Sequence, residues 1–263
     1  MNLFEKIPVQ TLEIIYRDEQ LIAINKPHGL LVHTTNMAAG ETITAVRLLR
    51  NQTGAWVFPA HRLDRKTAGV LLFSFDKFTN SLLQQQFMNH QVEKTYHAIV
   101  RGFTDDTGTI DYPVAAKNGK LKEAVTHYKT LQRIELPLPF GKFNTSRYSM
   151  VEIKPVSGRI HQIRKHFAHI LHPIIGDRPH GCNKQNRLFL ERWNHYSMLL
   201  HARCLRFGHP VNESKLEITA AYQQNFSRII EIMGFTVQTT VPFPGKIQNP
   251  ELAGGSTISQ AGK

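Results

Sequence analysis

The residues best suited to chemistry lie in the run Ala60-His61-Arg62-Leu63-Asp64-Arg65-Lys66-Thr67-Ala68-Gly69, where one acid stands among several bases just ahead of the apolar stretch Val70-Leu71-Leu72. Cationic neighbours favour the ionised form of a carboxylate, and an ionised carboxylate is available as a nucleophile. An ordinary turn aspartate paired with Arg62 or Arg65 has the same residue types, and composition alone favours that plainer reading. A second run, Lys94-Thr95-Tyr96-His97-Ala98-Ile99-Val100-Arg101-Gly102, places Tyr96 at the opening of an apolar strand. There it could stack on a base and offer a hydroxyl for proton transfer, although a strand tyrosine needs no such role. A third run covers 154–177. Gly158, ahead of a helix, would let a phosphate or base come close. Helical periodicity puts Ile160, Ile163, Phe167 and Ile170 on the buried face. Arg164 and Lys165 then point about 100° apart, one able to face the sheet and the other solvent or RNA. A buried arginine beside a buried carboxylate would form a bidentate pair. His161, His166, His169 and His172 invite a metal reading, but no HExxH is present and no acid or cysteine stands close in sequence; a basic helix flank is the better account, and no metal is expected.

These residues need a frame to hold them. Period-two alternation predicts strands around Leu12, Ile14 and Tyr16 and over 21–24, with a turn over 17–20 and turn chemistry over 25–29. A helix is expected over 42–49, with Thr42 as its cap and Val46 and Leu49 on one face. Further strands are expected over 70–75, 96–100, 124–134, 147–154, 198–207 and 216–219. Helices fit 77–89, 160–171 and 223–233. The stretch 105–123 reads as turn-rich and polar. Many strands with a few interspersed helices predict an α+β fold on a largely antiparallel sheet.

The 263 residues carry 32 Lys plus Arg against 20 Asp plus Glu, a net charge of +12. Such an excess points to a polyanion, and nucleic acid is the default. Two cysteines outside any CxxC pair indicate neither a disulfide framework nor a zinc site, and suit a reducing, cytoplasmic setting. No secretory signal or membrane-spanning run is expected. There is no P-loop and no GxGxxG before a helix, so no nucleotide cofactor is indicated.

Together the segments resemble the family of ribosomal-RNA and tRNA pseudouridine synthases typified by pseudouridine synthase A. Residues 61–72, 94–102, 157–177 and 199–202 match in order and spacing, over about 12–219. The stretches 124–128, 143–148, 176–181 and 186–187 look most like its tRNA pseudouridine synthase C branch. The family's usual T-S-G is here Thr67-Ala68-Gly69, one hydroxyl fewer in a local turn. The Thr, Pro, Gly, Ser and Gln composition beyond Gly234 predicts a flexible tail over 241–263, and the resemblance implies a single catalytic domain over 1–240, with a mixed, mainly antiparallel sheet flanked by helices. It leaves no room for an S4-type RNA-binding module ahead of the first strand. It also implies isomerisation of uridine to pseudouridine without a cofactor, with the target base flipped out of the stack. Asp64 would be the nucleophile, Tyr96 would stack on the uracil, and Arg164 would hold Asp64 ionised and aimed. Arg62 would fill the gap left by the flipped base. The surplus of positive charge predicts that, if the three runs converge on one cleft, Arg62, Arg65, Lys66, Lys94, Arg159 and Lys165 form an RNA-binding rim around it. Branch resemblance implies tRNA, at uridine 65 in the T-stem, over ribosomal RNA. A non-catalytic RNA-binding protein and a base-releasing N-glycosidase are the rival classes. No membrane and no obligate protein partner are expected.

Overall fold

The inner strands read as unbroken apolar runs because both faces of the sheet they form are covered. In the computed structural model, which describes residues 11–34, 43–116 and 118–236, strands β1 (Ile14–Arg17) and β2 (Leu21–Lys26) form a hairpin. The Asp18 carboxylate closes its turn by accepting from the amides of Gln20 and Leu21 at 2.8 and 2.6 Å. Asn25 and Lys26, expected in a turn, extend β2 instead. Helix α1 (Ala45–Thr53) follows, then β3 (Phe58–Pro59), β4 (Ala68–Ser74), α2 (Lys77–Met88) and β5 (Glu93–Arg101). The α1 cap is Thr44, whose hydroxyl accepts from Arg47 N; the expected cap, Thr42, lies outside the described residues, as does the expected tail.

The stretch 105–123 is more ordered than its polarity suggested. It holds β6 (Thr107–Asp111) and a small hairpin of β7 (Val114–Ala115) and β8 (Leu121–Lys122). Two long strands, β9 (Val125–Leu136) and β10 (Ser146–Pro155), lead to α3 (Gln162–His169). This helix is shorter than expected, and Ile160 lies before it at 37% exposure. Helix α4 (Asn183–Trp193) had no counterpart in the sequence reading. Its buried side is carried by Gln185 and Phe189, and the Gln185 carboxamide accepts from the Tyr148 hydroxyl at 2.8 Å. A helix that buries a glutamine leaves a weak apolar stripe. The chain continues with β11 (Leu200–Gly208), β12 (Lys215–Thr219) and α5 (Gln224–Met233).

The large sheet runs β1-β2-β4-β11-β5-β10-β9-β6, with β12 beside the second half of β11 and β3 beside β4. Among the described strands only β4 and β11 pair in parallel, through His201 with Ala68 and Ala202 with Gly69. Alternate residues of β2 and β4 point to opposite faces. Ile22, Ile24, Leu71 and Phe73 pack with α1, while Leu21, Ala23, Val70 and Leu72 pack with Leu83 of α2. Further along, Ala98, Val100, Val151 and Ile153 pack with Phe167 of α3, and Ile99, Tyr148 and Met150 with Phe189 and Phe226 of α4 and α5. Tyr96 touches the cluster under α1 and the cluster under α3. It marks the seam between them, where the loop before β4 emerges.

Candidate active site

That loop is fastened at several points. At its start, His61 Nε2 accepts from Leu72 N at 3.1 Å and the ring stacks on Phe87. Leu63 is buried in the core. The Asp64 carbonyl accepts from Thr67 N at 3.0 Å, and the Arg65 carbonyl from Gly29 N at 2.9 Å. Beneath it lies Lys26, fully buried, whose ammonium donates to the carbonyls of Pro27, Leu30 and Arg65 at 3.0, 2.8 and 3.1 Å. Burial pulls the Lys26 pKa down to about 7, against the attraction of the Asp64 charge. The loop's exit demands glycine. Gly69 has φ +109°, and a Cβ there would collide with the Ala202 backbone on the parallel neighbour β11.

The third run is held as firmly. Gln162, 4% exposed, accepts from the Ser157 hydroxyl at 2.7 Å and from Arg159 N at 3.0 Å. Its amide donates to Val125 O and Thr126 Oγ1, each at 3.0 Å. One side chain thus ties the loop before α3 to β9. His161 takes a left-handed backbone at φ 57°, which turns the chain into α3. One turn on, Arg164 is 5% exposed and bridges two acids. Its Nε and NH2 donate to Asp177 Oδ2 and Oδ1 at 2.7 and 2.8 Å, and its NH1 donates to Asp64 Oδ2 at 2.9 Å. The bidentate partner is therefore Asp177, 1% exposed, while Asp64 keeps 24% of its side chain in reach of solvent. Burial works against the Arg164 charge, but the bonds to Asp177 and Asp64 outweigh it and raise its pKa. Asn186 of α4 steadies the far end, its amide donating to Asp177 O and its carbonyl accepting from Gly176 N, both at 2.8 Å.

Asp64, Tyr96 and Arg164 line one open cleft with Arg62, Lys94 and Arg159. Burial, reinforced by the Asp64 charge, pushes the Tyr96 phenol well above its ordinary range, so it stays protonated. Lys94, whose ammonium lies 3.4 Å from Ser157 O, is made less basic by burial. Arg62 is exposed at the mouth. Gly158 opens on empty space, with nothing within 4 Å of where a Cβ would stand. Two of the expected cations lie elsewhere. Arg65 Nε donates to Gly29 O at 2.9 Å, and Lys165 Nζ donates to Ala115 O of β7 at 2.6 Å.

The histidines divide. His161 lies 3.7 Å from Asp64 Oδ2 and shares a hydrogen bond of 2.9 Å with His180. Burial lowers the pKa of both rings, with the Asp64 charge pulling each back. His166 bonds to Tyr112 O, His169 stacks on Tyr112, and His172 bonds to Arg101 O. Sequence reasoning gave no role to Lys26, Asp177, Gln162 or His161. A lysine closing an apolar strand before Pro-His-Gly was the one local signal among them. No helix among the described residues is long and apolar enough to cross a membrane.

Residues 20–169 match the model of the RNA pseudouridylate synthase family. The chain is 43% identical over 235 residues to a protein of Vibrio cholerae named tRNA pseudouridine synthase C, covering 85% of this chain and 96% of that one. A protein of the same name from Vibrio parahaemolyticus is 44% identical over 236 residues, covering 84% and 96%. The chain belongs to the RNA pseudouridylate synthase family. Among solved structures, human RNA pseudouridylate synthase domain containing 1 superposes with a TM-score of 0.66 at 22% identity, covering 87% of this chain and 96% of that one, and so shares its fold. As an RNA pseudouridylate synthase the chain is an isomerase, and its sheet is the mixed, mainly antiparallel one expected of the family.

Proposed function

We propose that this protein converts a uridine of tRNA to pseudouridine with Asp64 as the group that acts on the ribose. The observation that carries the reading is the Asp64 carboxylate, partly open to solvent, held by a buried arginine in a cleft that also presents Tyr96. The reaction breaks the bond between uracil N1 and ribose C1′, turns the ring, and joins C5 to C1′. C5 loses a proton and N1 carries one in the product. Reactant and product are isomers, so the balance requires no redox carrier, metal or nucleotide. Asp64 serves this either by attacking C1′ or by taking the C2′ proton. Arg164 fixes one Asp64 oxygen and orients the carboxylate. Tyr96 supplies a stacking face and, being protonated, a hydroxyl that donates a hydrogen bond, while the C5 proton passes to solvent and N1 takes its proton from solvent. The target atoms are inaccessible within a helical stack, so the base must leave it, and Arg62 at the mouth is placed to fill the space it vacates. Lys94 and Arg159 hold the flanking phosphates. Arg65 and Lys165 serve phosphates outside the cleft. The names of the two Vibrio relatives support tRNA as substrate, and uridine 65 is the position we expect.

Asp64→Asn should bind tRNA as wild type does and release no tritium from tRNA labelled at uridine C5. Release at the wild-type rate would sink the assignment. Reverse-transcription stops after carbodiimide treatment, in RNA from a strain lacking this protein, should lose one signal at tRNA position 65. Loss in ribosomal RNA instead would move the substrate.

A further inference from the structure

A second cleft opens behind the catalytic one, on the other side of the 176–178 turn. Asp177 separates the two. Its carboxylate is spent on Arg164, while its chain neighbours Gly176 and Arg178 line the second cleft. The opposite wall is the first turns of α4, with Asn183 and Arg187, and Tyr196 closes the end. Arg178 and Arg187 are exposed, and neither makes a hydrogen bond or ion pair among the described residues. Among the described residues no acidic side chain lines the cleft. Tyr196 is 50% exposed and Leu190 43%, an unusual outlay of apolar surface beside two unneutralised cations. The floor is fixed: Asn186 clamps Gly176 and Asp177, and a Cβ on Gly176 would strike the Ser197 backbone. His195 stays neutral there, its pKa lowered by burial to about 4. Helix α4 begins here without a side-chain cap, so its positive dipole end faces the same space. The positive field extends to the nucleophile loop, where Lys66 is held below its ordinary pKa by burial and next by the Arg178 charge. Like charges placed together without a partner are the signature of a site for an anion.

We propose that this second cleft is an RNA subsite, in which Arg178 and Arg187 take phosphates of the substrate outside the target nucleotide and Tyr196 stacks on a base or ribose. The proposal rests on the RNA-modifying reading above and adds where the rest of the RNA lies. A chain of phosphates passing Lys66, Arg178 and Arg187 would neutralise all three. A tyrosine face beside a cationic groove is the usual means of holding an unstacked nucleotide.

The test uses Arg178→Ala with Arg187→Ala, Tyr196→Ala and Tyr196→Phe. None of these side chains makes a hydrogen bond or ion pair among the described residues, and circular dichroism and melting would confirm folding. Binding is measured with full-length unmodified tRNA across a salt series, and turnover by tritium release. The double arginine variant should weaken binding roughly tenfold at moderate salt. It should lower the salt slope by about 1.4–1.8, two contacts at about 0.7–0.9 each, with turnover at saturating tRNA unchanged. Tyr196→Ala should weaken binding roughly fivefold or more, with Tyr196→Phe restoring it. If the double variant matches wild type in affinity and slope, the subsite is refuted while the catalytic reading stands. If wild type binds tRNA but never releases tritium, the catalytic reading fails, and loss of binding in the variants still supports the subsite. Inorganic phosphate at millimolar concentration should compete no better than its ionic strength explains; strong competition would make the cleft a site for free phosphate and overturn the proposal.

Discussion

At the scale of single residues, the site is a chain of three charges of unequal burial. Asp177 is 1% exposed, Arg164 5% and Asp64 24%. Burial of a charge is tolerable only with a partner in good geometry, and removing one member costs more than the pair contributes. Arg164 therefore has two separable contacts, a bidentate one with the enclosed Asp177 and a single bond to the more open Asp64, the nucleophile proposed above. Arg164→Met should cost about 3–5 kcal/mol in urea unfolding, because Asp177 is left charged and enclosed. Adding Asp177→Asn should return most of that loss. Adding Asp64→Asn should return little, since Asp64 can still be solvated. Recovery of stability by Asp64→Asn, with none by Asp177→Asn, would reverse this ranking of the two contacts.

Among the elements, two junctions set the cleft's shape. One is the parallel contact of β4 with β11, where Gly69 lets two backbones come closer than any side chain permits. Gly69→Ala must both populate φ near +109° and push β11 away. We expect a loss of at least about 2 kcal/mol and a larger fall in kcat than in tRNA affinity, since Asp64, the proposed nucleophile, moves and the proposed phosphate contacts do not. Full activity in a stable Gly69→Ala protein would show that the junction is slack. The other junction is Gln162, which makes four hydrogen bonds between the loop before α3 and β9. At about 0.5–1.5 kcal/mol net for each bond, Gln162→Ala should cost roughly 2–6 kcal/mol, seen as a lower Tm. It should also raise KM for tRNA, because Ser157 to Arg159 lose their anchor. A variant with wild-type Tm and KM would show that the loop holds itself.

For the whole molecule, most strands were legible because residues such as Ile22, Leu71 and Phe73 alternate with partners on an equally buried opposite face. What stayed hidden depends on contacts far apart in sequence. Asp177 was an acid in a turn until α3 brought Arg164 to it, 13 residues away, and Asp64 meets Arg164 across 100 residues. Helix α4 was masked by its buried glutamine, and Lys26 by turn residues that follow a strand. The candidate site was legible as three runs, but not which cations would share the cleft. Arg65 and Lys165 are drawn off by backbone carbonyls that sequence does not reveal. The same long-range packing makes the fold sensitive to acid. His201, fully buried against Tyr222 and Phe226, has its pKa lowered by burial to about 3, and His195, 3% exposed, to about 4. Both rings are neutral in the folded protein. Released histidines protonate near pH 6.5, so below that pH the unfolded chain binds protons that the folded one refuses. Stability is then lost as pH falls from 6.5 towards the folded values, by about 1.4 kcal/mol per pH unit for each ring, and is insensitive to these groups above about pH 7.5. His28 and His61, also made less basic by burial, steepen the loss. His201→Leu isolates one contribution, because Ala220 O keeps its bond from Arg203 when the imidazole is removed. The variant should be less stable at pH 7.5 through imperfect packing. Between pH 6.5 and 5, where carboxylates still hold their charge, its stability should fall less steeply than wild type by roughly 1 kcal/mol per pH unit on average, approaching about 1.4 at the acid end. Urea unfolding at four pH values measures both slopes. Parallel slopes would mean that the folded protein accepts a proton on His201, and the acid sensitivity would have to be sought in the remaining histidines.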